Sequence, residues 1–279
     1  MIGRRPLLLG LGAAIAASGR SRADQPIDLV LTGAWRQGGY ALGRTEPRAQ
    51  ILVDGEVLST ASARGLFVIG FDRDAPAVAS LEVRSGDRSI LRRLDIAPHA
   101  FPSTRVDGLP PATVEPSDPA LLARIQQELA AKTEAFASDA DTDQFREGFI
   151  WPLETYRISS EWGAQRVLNG TPARPHYGID LAAPAGTVIR APADGRVVFV
   201  RPDMHFEGGL TLIDHGQGLI SAYLHQSQQN VSLGQTVRRG DPLGQVGMTG
   251  RATGPHLCWR LKWRGRNLDP SLLVGVHIP

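Results

Sequence analysis

Two short stretches, far apart in the chain, hold the residues best suited to bind a metal ion. They are His176-Tyr177-Gly178-Ile179-Asp180 and Gly254-Pro255-His256-Leu257-Cys258-Trp259. Side chains alternate faces along a strand, so residues two or four apart point the same way. If both stretches are extended, His176 and Asp180 share one face, and Tyr177 and Ile179 share the other. By the same parity His256 and Cys258 point together, with Leu257 and Trp259 packing behind. Zinc accepts imidazole, carboxylate and thiolate, and a catalytic zinc keeps one position for water. Three ligands drawn from these residues meet that requirement. Further histidines would position or deprotonate the water and stabilise a developing oxyanion. Cys258 is the only cysteine, so it forms no intrachain disulfide. It is a buried small hydrophobe, a reactive thiol or a metal ligand.

The elements that must carry these residues read as short strands. Residues 188–200 form a strand, an Asp194-Gly195 turn and a second strand. Residues 210–216 and 219–225 form a hairpin across a Gly-rich turn, and closely spaced glycines punctuate residues 231–250, from Gly234 to Gly250. The region 149–279 is therefore mostly antiparallel β with little helix. Tyr223 shares strand parity with His225, so its ring packs in the sheet or its hydroxyl aims at the site. Arg166 and Asn169, in the loop before His176, are candidate substrate contacts. His205 is a candidate for the groove rim, His215 reads as a turn histidine bonded to backbone, and His99 and His277 have no assigned role.

An ordered set of motifs surrounds the two stretches. His176-x-x-x-Asp180 is followed by Ala183-Pro184-x-Gly186-Thr187 and Ala191-Pro192-Ala193-x-Gly195. Tyr223-x-His225, Gly234-Gln235-x-Val237-x-x-Gly240, Gly247-x-Thr249-Gly250 and Thr253-Gly254-Pro255-His256 come next. This series, spanning roughly 152–273, resembles the LytM/lysostaphin-type zinc metallopeptidases. The resemblance implies an antiparallel β fold with a groove, and a zinc-dependent endopeptidase acting on peptide cross-links of bacterial peptidoglycan. It implies His176 and Asp180 as zinc ligands, and His225 and His256 as the catalytic histidines. The family's third ligand is the second histidine of a His-x-His motif, and here Cys258 stands in that place. A thiolate binds zinc well, but two anionic ligands leave a bound water less acidic than a His/His/Asp set would. Weaker water activation and a more alkaline optimum are expected.

The rest of the chain frames this region. Residues 27–98 show short apolar alternations broken by Gly, Asp and Pro, with Asp54-Gly55 as a hairpin signal. The expectation for 24–98 is a small antiparallel sandwich of immunoglobulin-like type, with Asp72, Arg73 and Asp74 in a solvated turn. Pro-rich residues 99–116 read as linker, within a connecting segment 99–148. A helix is expected over about 118–137, capped at Ser117 or Asp118 and packed through Leu122, Ile125, Leu129 and Phe136. The fold class is thus mainly β, with a helical linker and a C-terminal peptidase-like domain from 149.

Residues 1–23 read as a signal peptide. Arg4 and Arg5 precede an apolar run from Leu7 to Ala17, and Ser21-Arg22-Ala23 offers a cleavage site. The paired arginines fit twin-arginine export and also an ordinary secretory leader. The run is too short to span a bilayer, so no membrane anchor is expected after cleavage. The 30 basic and 28 acidic residues give a net +2, but four arginines lie in the leader, leaving −2 beyond it. That balance gives no support to nucleic-acid binding. The expected protein is exported to a Gram-negative periplasm, with peptidoglycan as its partner. The alternative is a catalytically weak or inactive relative that binds peptidoglycan or activates a cell-wall amidase. The N-terminal region would position the peptidase domain or cover its groove. If it covers, a truncation starting near Gly148 should be more active.

Overall fold

The computed structural model describes residues 26–110 and 114–276. The expected signal peptide and His277 lie outside these residues. The chain is mainly β, in agreement with the sequence reading.

The first half is built from β1 (Val30–Ala34), β2 (Tyr40–Arg44), β3 (Gln50–Val53), β4 (Glu56–Thr60), β5 (Leu66–Gly70), β6 (Val78–Ser85) and β7 (Arg88–Asp95). These strands form two antiparallel sheets, ordered β1-β2-β5 and β4-β3-β6-β7. Asp54 and Gly55 join β3 to β4 with φ of 53° and 84°. This is the pair of positive dihedrals that a tight hairpin with right-handed twist demands. Leu42, Ile51, Phe67, Ile69, Leu81 and Val83 are buried in the core.

A strand β8 (Ser103–Val106) and a helix α1 (Pro119–Phe136) connect the halves. Asp118 caps the helix by accepting the Leu121 N–H at 2.8 Å, and Pro119 occupies its first turn, where a missing N–H costs nothing. The packed side of the helix keeps Phe136 of the stripe expected from sequence but not Leu122 or Leu129. Leu122 and Leu129 are 39% and 53% exposed, while Ala131, Ala135 and Phe136 cover a small apolar cluster around Phe199, Leu212 and Leu224. Polar pairs fix this rotation. Arg124 reaches the Asp203 carbonyl, Glu128 accepts the His205 N–H at 2.9 Å, and Lys132 pairs with the buried carboxylate of Glu207.

The second half contains β9 (Arg157–Ser160), β10 (Gln165–Leu168), β11 (Thr171–Pro172), β12 (Ile179–Ala182), β13 (Val188–Arg190), β14 (Gly195–Met204), β15 (Gly208–Asp214), β16 (Leu219–Gln226), β17 (Gln228–Gln229), β18 (Thr236–Val237), β19 (Pro242–Gln245), β20 (His256–Trp263) and β21 (Arg266–Leu268). One large antiparallel sheet runs β18-β14-β15-β16-β20-β12-β9, with β21 beside β20. Strict alternation on β20 sends Leu257, Trp259, Leu261 and Trp263 into the main core, and Cys258 into the smaller cluster under α1.

The halves share one core. Buried side chains from Ile27 to Leu273 form a continuous cluster. Tyr40 donates to the Leu272 carbonyl at 3.0 Å, and Gln217 donates to the Leu66 carbonyl at 2.8 Å. The segment Asp72-Arg73-Asp74 forms the expected turn with Asp74 exposed, but Asp72 and Arg73 latch the two halves together. The Arg73 guanidinium donates to the Gly163 carbonyl at 2.7 Å and lies 4.3 Å from the Phe101 ring centre. Asp72 accepts the Asn267 N–H at 3.1 Å.

Candidate metal centre and groove

The register of the large sheet brings residues 176–180 and 254–259 together. Asp180 on β12 lies directly opposite Cys258 on β20, and Ala182 opposite His256. His176 precedes β12, and its backbone N–H donates to the Ala164 carbonyl at 2.8 Å. Four residues before Asp180, it presents its ring on the same face. Gly178 makes this approach possible, because a Cβ there would fall 2.7 Å from Cys258 Sγ and 2.9 Å from Arg260 Cγ.

Three donor atoms converge as a result. His176 Nε2 lies 3.0 Å from Asp180 Oδ1 and 3.3 Å from Cys258 Sγ. Ligand atoms of these three residues all lie within 4.8 Å of one another, and all three residues are buried. Asp180 Oδ1 is buried without a hydrogen bond, while Oδ2 accepts from Arg166 at 2.8 Å. A buried carboxylate oxygen left without a donor is unfavourable unless something positive sits beside it. The arrangement fits a metal ion, and a mixed nitrogen, oxygen and sulfur set suits zinc.

The charges around the triangle are uneven. Burial works against ionisation of Asp180, but His176 and Arg166 outweigh it and hold the carboxyl well below the usual carboxylate range. Burial keeps His176 neutral, its pKa down to about 4, with Asp180 opposing. Burial pushes the Cys258 thiol up to about 12, reinforced by Asp180 and opposed by Arg260. Metal binding would displace that thiol proton, coupling affinity to pH.

Two further imidazoles face the triangle. His256 Nε2 is 3.7 Å from Asp180 Oδ1, and the His225 and His256 ring centres are 4.7 Å apart. Each ring is oriented through Nδ1. His225 Nδ1 lies 2.8 Å from the Thr249 carbonyl, and His256 Nδ1 lies 2.8 Å from the Gly254 carbonyl. A carbonyl only accepts, so Nδ1 carries a proton in both rings, and in a neutral ring Nε2 keeps a lone pair. Burial, then the neighbouring His256, lowers the His225 pKa to about 3, which keeps that ring neutral.

The structure settles several expectations raised by the sequence. Tyr223 packs in the core and its hydroxyl meets Ser221 Oγ at 2.7 Å, so it takes no part in the site. Strand parity alone would send His225 the same way. His225 instead has φ of 64°, a left-handed conformation that turns its ring to the opposite face. Arg166 anchors Asp180. Asn169 clamps the connecting segment, donating to the Leu109 carbonyl at 2.8 Å and accepting its N–H at 3.1 Å. His205 packs edge-on against Phe206, away from the groove over the site. His215 contacts backbone as expected, its Nδ1 lying 2.6 Å from the Asp194 carbonyl.

Sequence reasoning missed Ser160, whose Oγ lies 3.2 Å from His176 Nδ1, and Arg260 beside the thiol. Arg260 had a usable signal, since it continues the parity of His256 and Cys258. Ser160 had none, because its partner lies across a strand pairing. A groove of about 580 Å³ opens over Asp180, His225 and His256. Its walls include β9, the loop 251–255 and, from the connecting segment, Thr104, Arg105, Val106 and Leu109. That segment is held there by parallel pairing of β8 with β10.

The site is a candidate metal centre in the face of an antiparallel sheet, at the floor of a groove. The model of peptidase family M23 matches residues 174–270. A crystallised protein from Pseudomonas aeruginosa, described as a peptidase M23, superposes with a TM-score of 0.67. It is 30% identical, covering 86% of this chain and 95% of that one. The chain belongs to peptidase family M23. It is also 39% identical over 144 residues to the peptidoglycan DD-endopeptidase ShyA of Vibrio cholerae, covering 50% of this chain and 33% of that protein. The DD-carboxypeptidase/endopeptidase Mpg of Neisseria meningitidis is 39% identical over 137 residues, covering 49% and 31%. The matched region thus spans about a third of the length of these curated relatives.

Proposed function

We propose that this protein is an exported zinc endopeptidase that hydrolyses peptide cross-links of peptidoglycan. The observation that carries the reading is the buried triangle of His176, Asp180 and Cys258, with the rings of His225 and His256 beside it. Family membership and the names of the relatives, a peptidoglycan DD-endopeptidase among them, support the substrate class. The basic-apolar leader and the Gram-negative sources of those relatives support delivery to the periplasm. No helix among the described residues is long and apolar enough to cross a membrane.

His176, Asp180 and Cys258 would hold zinc, with Arg166 and Ser160 fixing the orientation of the carboxylate and the imidazole. Zinc, when bound, supplies Lewis acidity to the groove floor. The chain's own contribution is proton management and positioning. A neutral Nε2 of His225 or His256 takes the proton of the attacking water as its oxygen bonds to the peptide carbonyl carbon. The resulting imidazolium returns that proton to the departing amine nitrogen as the C–N bond breaks. The second histidine donates no proton in its neutral Nδ1–H form, but it fixes the position of the water. Carbonyl anchors on both Nδ1 atoms prevent tautomer exchange and hold both lone pairs in the groove.

The test is mass spectrometry of sacculi digested with the purified protein, with and without chelator. Chelator-sensitive release of uncross-linked muropeptides supports the reading. Sacculus binding without any cleavage would favour the non-catalytic alternative, in which the same groove binds peptidoglycan or docks on an amidase.

A further inference from the structure

Four arginines line the groove: Arg105, Arg157, Arg166 and Arg251. Asp180 is the one acidic side chain among its described lining residues. Arg166 is committed to Asp180, so the carboxylate on the groove floor is already engaged. Arg157 lies on β9, the edge strand of the large sheet, and its side chain makes no hydrogen bond or ion pair among the described residues. Arg105 comes from the connecting segment and meets only Asp107, an exposed partner, at 2.7 Å. The Arg251 guanidinium lies 4.7 Å from the Phe206 ring centre. Burial lowers its pKa, with the nearby cations Arg166 and Arg260 adding to that and Glu207 opposing. Concentrating one sign of charge in a cleft draws ligands of the opposite sign.

The guanidinium suits carboxylate and phosphate alike, and the site it lines decides between them. Its planar fork matches a carboxylate in two parallel hydrogen bonds. The groove leads to a site suited to peptide hydrolysis, so the anion has to be carried by a peptide. We infer that Arg157 and Arg105 form a carboxylate-recognition subsite that selects cross-linked peptides bearing free carboxylates over their amidated forms. The inference rests on the peptidase reading for its substrate class. It gives the connecting segment a part in specificity, because Arg105 lies outside the matched family region and reaches the groove only through the β8–β10 pairing.

The experiment uses the full-length protein and two synthetic cross-linked stem peptides, identical except that one has its free carboxylates amidated. Binding is followed by calorimetry and cleavage by mass spectrometry. The carboxylate peptide should bind more tightly, with about a fivefold loss of that preference in each of Arg157→Gln and Arg105→Gln. Arg93→Gln, on β7 and remote from the groove, should keep the full preference. Equal binding of the two peptides overturns the inference, as does a preference that survives both groove substitutions, or no binding of either peptide. Cleavage without preference leaves the peptidase reading standing and the subsite refuted. Preference without cleavage does the reverse.

Discussion

His225 and His256 bring their rings to a centre-to-centre distance of 4.7 Å, and each is tethered through Nδ1 to a backbone carbonyl. The pairing exists because His225 adopts a left-handed φ at the end of β16. An alternating strand would have buried its ring beside Tyr223. The two rings thus turn their other edges toward one small volume of the groove beside Asp180.

Removing either ring should separate chemistry from metal binding. His225→Ala and His256→Ala are each expected to lower cleavage of cross-linked muropeptides by about 10²- to 10⁴-fold. Zinc content should stay near wild type. Metal analysis beside the kinetic assay checks both halves of that statement, and parallel loss of zinc would contradict it.

Gly178 makes the opposite prediction. A methyl group there would fall 2.7 Å from Cys258 Sγ, closer than real Cβ contacts allow, so the thiol or β12 must shift. Gly178→Ala should weaken zinc binding at least tenfold while leaving the β signature of the circular dichroism spectrum in place. A competitive chelator titration measures the change.

Acid should destabilise the fold through His215. Its ring is buried among Asp194, Ser221 and Phe149, and burial lowers its pKa from 6.5 to about 4. Between those values the unfolded chain binds a proton that the folded chain refuses. The contribution is therefore complete above about pH 6.5 and is lost as pH falls toward 4, on the order of 3 kcal/mol. In His215→Asn, urea midpoints measured from pH 7 to 4 should fall less steeply than in wild type.

Truncation at Gly148 should not release a more active enzyme. It would strip β5 from Leu268, whose methyl groups pack against Gly70, and would remove the Tyr40 and Leu66 partners of the second half. The shared core predicts a melting temperature lower by 10 °C or more, or aggregation, given that about 1 kcal/mol shifts Tm by roughly 2–4 °C in a chain of this size. A truncated form that melts with the full chain and cleaves faster would restore the covering role.

Much of this site is legible in the sequence. Parity alone places His176 with Asp180 and His256 with Cys258, and the ordered motifs point to the family. Parity fails at His225 because one positive φ resets alternation, and nothing in Tyr223-Leu224-His225 announces it. The packed face of α1 is hidden for a different reason. Leu122 and Leu129 follow an apolar stripe, while Arg124, Glu128 and Lys132 find partners on β14 and in the turn before β15 that only the tertiary fold supplies. The groove wall is equally invisible. A Pro-rich segment gives no hint that β8 will pair in parallel with β10. Long-range pairing of irregular segments leaves little trace in local pattern.

If Cys258 completes a metal site with His176 and Asp180, its thiolate must mark the spectrum of the bound metal. Cobalt(II) titration of the metal-free protein tests it most directly, because a thiolate ligand adds an intense near-ultraviolet charge-transfer band that imidazole and carboxylate do not. Wild type should show the band at one cobalt per chain, and Cys258→Ala should lose it together with most of its metal affinity. Cobalt binding with equal affinity and no such band in either protein would contradict the account.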